Sequence, residues 1–177
     1  MALRPWKKLS ETRVGDNPFW EYRRDEFELP TGKRGHYYYV HTHGAVMIVP
    51  VAEDGRIHLV KQYRYLIGDE SLELPCGGVR AGASFESTAR GELAEEAGLQ
   101  ADDWTEIGSF VPFNGICDET CRVYLARGLR PAQAQPDETE EFEQVLLSPG
   151  EIDGLIAEGG LCDGMTLAAW AMVRSRL

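Results

Sequence analysis

Pro75-Cys76-Gly77-Gly78-Val79-Arg80-Ala81-Gly82 is a glycine-rich turn, and the segment after it, Ser84 to Ala97, carries helical periodicity closed by Gly98. Ser84 suits the N-cap and Gly98 the left-handed C-cap, so this is the best-bounded helix in the chain. Within it Glu92, Glu95 and Glu96 stand three and four residues apart, which puts the three carboxylates on one face. Like charges at these spacings each cost a helix roughly a few tenths of a kcal/mol unless something cationic neutralises them. The face therefore points to a hard divalent cation, magnesium or manganese, held by carboxylate oxygens and bridging substrate phosphates.

Upstream of the turn, Phe27 to Gly32 reads as a strand running into a turn, with Gly35 to His41 as its partner. Ala45 to Val51 is a continuous apolar run ending in the turn Glu53-Asp54-Gly55-Arg56. Ile57 to Tyr63 alternates as a strand does, and the two runs are expected to pair as a hairpin. Downstream, Trp104 to Phe110, Arg122 to Ala126 and Phe142 to Leu147 read as strands. The polar segments Pro112 to Glu119 and Pro131 to Glu141 between them are long enough to be functional loops. Two helices, Glu151 to Glu158 and Met165 to Arg176, follow, interrupted by Gly159-Gly160. Strands with helices between them and at the end predict an α+β sandwich, a mixed sheet flanked by helices.

The 177 residues suffice for one domain with a sizeable core, with a short N-terminal extension. A formal charge of −11 repels nucleic-acid backbones and anionic membranes, and the short basic pairs Lys7-Lys8 and Arg23-Arg24 are interrupted by acids. Neither a nucleic acid nor a membrane is expected as a partner, and no apolar run reaches the roughly 18 residues of a membrane span. A small anionic substrate remains compatible, because a bound metal reverses the local field. Cys76, Cys117, Cys121 and Cys162 form no CxxC pair and follow no secretory signal, so they read as reduced thiols of a cytoplasmic protein.

The stretch Gly77 to Leu99 resembles the Nudix box. That pattern is a glycine, five residues, Glu, seven residues, then Arg-Glu-aliphatic-x-Glu-Glu-x-Gly-aliphatic. Glu92, Leu93, Glu95, Glu96, Gly98 and Leu99 fall on it. Two members depart: Ala83 stands for the first Glu and Gly91 for the Arg, with Arg90 one residue out of register. Losing both members of an ion pair leaves no uncompensated charge. The resemblance extends to the ADP-ribose and nucleoside diphosphate sugar pyrophosphatase branch, through Leu59 to Tyr65, Leu72-Glu73-Leu74-Pro75, Asn114 to Glu119 and Pro136 to Glu140.

The resemblance implies a Nudix-type α/β/α sandwich over residues 44–177, preceded by a β extension over residues 1–43 that serves dimerisation. It implies a Mg2+- or Mn2+-dependent hydrolysis of a diphosphate joining two nucleoside or sugar groups. Glu92, Glu95 and Glu96 would be metal ligands, the backbone carbonyl of Cys76 would complete the shell, and Glu140 would be a further metal contact. Glu92 also has a catalytic place, Glu138 of the late acidic loop is the candidate base, and Arg64, Glu73 and Asn114 are the candidate substrate contacts. The residues alone leave other readings open: Glu138 and Glu140 as a solvated loop tip, and Arg64 as a surface strand residue. Phe19, Trp20, Tyr37, Tyr38 and Tyr39 are either a stacking surface for a base or core and dimer packing. His41 and His43, alternating on one strand face, read as ordinary strand residues. A nucleotide-sugar-binding domain without catalysis, motivated by Ala83 and Gly91, stands beside the enzyme, and a plain interaction scaffold stands third.

Overall fold

The computed structural model describes residues 3–132 and 141–177. It divides into two units, Met1–His43 with Val111–Glu119, and Gly44–Phe110 with Thr120–Leu177.

In the first unit β1 (Lys7–Asp16), β2 (Glu21–Glu28) and β3 (Arg34–His41) form an antiparallel meander in that order. The sequence pattern places the first strand from Phe27, whereas two strands occupy Lys7 to Glu28. Neither strand alternates apolar with polar residues, because charged side chains fill both. Lys8 meets Asp25 at 2.8 Å and Arg23 meets Glu11 at 3.1 Å. Cross-strand pairs of this kind set register while contributing about 0.2–1 kcal/mol each. Asn17 closes the first turn, its Oδ1 accepting from the Phe19 and Trp20 amides at 2.8 and 2.9 Å. Val111–Glu119 lies along β3, where the Val40 amide donates to the Ile116 carbonyl at 2.8 Å and the Asp118 amide donates to the Val40 carbonyl at 3.2 Å.

The second unit contains β4 (Ala45–Pro50), β5 (Ile57–Arg64), β6 (Asp69–Glu73), β7 (Cys76–Gly78), α1 (Phe85–Ala97), β8 (Leu99–Phe110), β9 (Cys121–Pro131), β10 (Glu143–Leu147), α2 (Pro149–Glu158) and α3 (Gly164–Val173). One sheet runs β7-β4-β9-β8 and is mixed, since β4 is parallel to β9 and antiparallel to β7. The other, β10-β5-β6, is antiparallel. All six residues of β4 are buried, as expected of a strand covered on both faces. Met47 and Val49 point to Ile152, Trp170 and Val173 of the C-terminal helices, while Val46 and Ile48 point to Ala89, Leu93 and Ala97 of α1. The period of two thus builds two cores from one strand, and the α/β/α sandwich follows.

The expected hairpin of the Ala45 and Ile57 runs does not form. Both edges of β4 are taken by β7 and β9, and β5 turns into the other sheet after a single bridge between Val51 and Ile57. Only the turn survives as read, with the Ala52 amide donating to the Arg56 carbonyl at 2.8 Å. The helix ends follow local chemistry. The Ser84 hydroxyl accepts from the Ser87 amide and Gly98 closes α1 at φ 63°. Ser148 and Glu151 form a capping box on α2, so that this helix begins two residues before Glu151. Each such cap contributes about 1 kcal/mol.

Candidate active site

Helix α1 lies on the mixed sheet with two of its glutamates turned towards β7. Glu96 is 7% exposed, and its Oε2 accepts from the Cys76 backbone amide at 2.8 Å. Glu92, one turn earlier, covers Gly77 so closely that a β-carbon there would overlap its carboxylate and lie 2.7 Å from Oε2. The two carboxylates therefore converge on the Cys76-Gly77 backbone. Glu95, one step round the helix, is exposed.

Among the described residues, no three His, Cys, Asp or Glu side chains cluster tightly enough to hold a metal ion by themselves. Magnesium is commonly bound by one or two carboxylates, with water and substrate phosphate oxygens completing an octahedron. A pair of carboxylates one helical turn apart, set against the Cys76-Gly77 backbone, fits that donor set.

Arg64 and Glu73, adjacent strands apart on β5 and β6, form a two-pronged ion pair: Nε to Oε1 at 2.8 Å and Nη2 to Oε2 at 2.5 Å. Glu73 is 2% exposed, and Arg64 is partly exposed. Burial pushes the Glu73 carboxyl up, but hydrogen bonds from Arg64 and Ser71 outweigh it and hold the carboxyl below its ordinary value. Arg64 is raised, first by the same hydrogen bond. Its Nη2 also lies 4.0 Å from Cys76 Sγ, so the pair stands beside the carboxylate site. Burial lifts the Cys76 thiol well above the usual range, and the Glu96 and Glu73 charges add to the effect. This sulfur is a poor nucleophile.

The box departures have clear surroundings. Ala83 is exposed, and a β-carbon at Gly91 would meet nothing nearer than Glu95 Oε1 at 3.8 Å. Arg90 does not reach into this space: it pairs with Glu86 at 2.8 Å and its guanidinium stacks on Trp104 at 4.8 Å from the ring centroid. One residue is about 100° of helix, which carries Arg90 away from Glu92.

Asn114 belongs to the first unit, where with Lys8, Tyr37, Tyr39, Ile116 and Asp118 it lines a cavity of about 480 Å³. The Tyr37 hydroxyl donates to the Gly115 carbonyl at 3.1 Å, and His41 Nδ1 lies 2.7 Å from Asp118 Oδ2. His43 falls beyond β3, so the two histidines do not alternate along one strand as read. Their rings meet edge-on at 5.6 Å. Glu138 and Glu140 lie outside the described residues. Sequence reasoning missed Gln144, whose Nε2 donates to the Glu96 backbone carbonyl at 2.6 Å. Nothing local to Gln144 signals a partner 48 residues away.

The NUDIX domain matches residues 41–163. An ADP-ribose pyrophosphatase of Mycobacterium tuberculosis is 35% identical over 147 residues, covering 82% of this chain and 71% of that protein. An ADP-ribose pyrophosphatase of Bacillus subtilis is 34% identical over 141 residues, covering 79% of this chain and 76% of the relative. A solved structure titled as an ADP compounds hydrolase superposes with a TM-score of 0.86 at 24% identity, covering 100% of this chain and 96% of that one, which bears on fold alone.

Proposed function

The chain belongs to the NUDIX domain family and is a hydrolase of it, and from that premise we propose that it cleaves the diphosphate linkage of ADP-ribose or a related nucleoside diphosphate sugar. Water adds to one phosphorus and the bridging oxygen leaves with the other, giving a nucleoside monophosphate and a sugar phosphate. The observation that carries this reading is the convergence of Glu92 and Glu96 on the Cys76-Gly77 backbone. Two relatives named for ADP-ribose hydrolysis, matching about four-fifths of the chain, support the substrate class.

Glu92 and Glu96, with the Cys76 carbonyl beside them, would hold Mg2+ or Mn2+, and Glu95 and Glu140 are proposed as further metal contacts. The ion, when bound, screens phosphate oxygens and lowers the pKa of water. Glu138 is the proposed base that takes the proton of the attacking water. Glu73 holds the Arg64 guanidinium flat, and the N–H groups not engaged by the carboxylate are left to meet a phosphate or phosphoribose oxygen. Asn114 is proposed as a polar contact to the substrate. The extension is proposed to bring two copies together, which accords with the exposure of Phe19, Val14 and Tyr38 on the first unit.

Incubation of the purified protein with ADP-ribose and Mg2+, followed by chromatography for AMP, tests the activity; absence of AMP at high enzyme concentration refutes it. A second reading rests on Gly91, which stands where the family pattern has arginine, and on the engagement of Arg90 with Glu86 and Trp104. It is a domain that binds such a ligand without cleaving it. Ligand binding by calorimetry with no AMP formed would select it.

A further inference from the structure

We propose that Gln144 is a positioning residue of this site, whose side-chain amide fixes the last turn of α1 so that Glu96 presents its carboxylate beside Cys76. The inference rests on the metal-site reading above.

Glu96 is gripped at both ends: its Oε2 accepts from the Cys76 amide at 2.8 Å, and its backbone carbonyl accepts from Gln144 Nε2 at 2.6 Å. That carbonyl lies in the last turn of α1, where backbone carbonyls are met by cap amides, side chains or water. The C-terminal turn is also where carboxylates are least welcome, because the helix dipole is negative there. This turn holds Glu95 and Glu96 and no basic residue. A lysine or arginine in Gln144's place would ease both problems but would set a fixed positive charge beside the carboxylates, in competition with a metal ion. An amide satisfies the carbonyl and leaves the carboxylate charge available. Gln144 is itself placed firmly, since β10 pairs Gln144 with Val60 and Val145 with Leu59 of β5. The hydrogen bond therefore references α1 to the antiparallel sheet that carries Arg64 and Glu73.

Gln144 is exposed, so Gln144→Met, close in size and lacking the donor, should fold normally. Groups that orient metal ligands typically contribute 10- to 100-fold in affinity. Mn2+ binding to the full chain without substrate, measured by electron paramagnetic resonance, should weaken about 10-fold in Gln144→Met. Gln144→Glu, which sets an acceptor against the carbonyl, should weaken it further. Circular dichroism should be unchanged, and the Mg2+ concentration for half-maximal hydrolysis should rise in parallel. A simple helix cap would instead lower the thermal midpoint while leaving Mn2+ affinity within twofold of wild type, and that result overturns the inference. If wild type itself binds no Mn2+, the metal-site reading fails first; if wild type binds and both variants match it, only the role of Gln144 fails.

Discussion

Gly77 and Glu92 compete for one volume: the Glu92 carboxylate occupies the space a side chain at residue 77 would take. The glycine is needed here for close approach rather than for an unusual backbone, since Gly77 is not among the positive-φ glycines.

Gly77→Ala should therefore damage activity far more than stability. The atoms in the way belong to the end of a flexible side chain, which can swing aside at little cost to folding. Expected are a thermal midpoint close to wild type and a fall in kcat of roughly 10-fold or more, because the displaced carboxylate no longer faces Cys76. A large loss of stability with residual kcat unchanged would contradict the assignment.

Glu92→Gln and Glu96→Gln should each lower kcat/KM by roughly 100-fold or more, since removal of a metal ligand costs at least what removal of its supporting partner does. Steady-state kinetics across a Mg2+ titration checks this. Raising Mg2+ should rescue neither variant fully.

Gly91→Ala should stabilise the protein. The position is inside α1 with ordinary contact distances around a new methyl group, and alanine is better than glycine in a helix interior by about 1 kcal/mol. Scanning calorimetry should show the midpoint rising by roughly 2–4 °C for a chain of this size.

The Arg64–Glu73 pair makes stability depend on pH in acid. Glu73 titrates below its ordinary value of 4.5 in the folded protein. Its contribution is therefore fully present above that pH and is lost as the pH falls through the lowered folded value. Urea unfolding should find Glu73→Gln less stable than wild type by about 2 kcal/mol at neutral pH, the range of a charge-assisted hydrogen bond. The difference should shrink steadily below about pH 4.5.

Glu138→Gln should lower kcat by roughly 100-fold or more while Mn2+ affinity stays near wild type, the pattern of a lost general base. Equal losses in Mn2+ affinity would make Glu138 a ligand instead. Rapid-quench single-turnover measurement with ADP-ribose separates the chemical step from product release.

Local chemistry made α1 legible from Ser84 to Gly98, because caps and the periodicity of Ala89 and Leu93 are written within one segment. The continuous apolar run Ala45 to Val51 marked a strand for the same reason. Its partners were not legible. The run reads equally well as half of a hairpin, and only competition among all strands for its two edges gave them to β7 and β9. The charged strands β1 and β2 escaped notice because their pairing is satisfied by cross-strand ions rather than by alternating apolar residues.

The amino-acid order by itself determined that Glu92, Glu95 and Glu96 share a helix behind a glycine turn, since helical spacing and glycine's missing side chain are properties of neighbours in the chain. Which carboxylates turn inward, what Arg64 holds, where Arg90 goes and what meets the Glu96 carbonyl were decided only in three dimensions. Those contacts join residues from 9 to 48 positions apart, or depend on which side of a helix faces the sheet. Such choices follow from packing the whole unit.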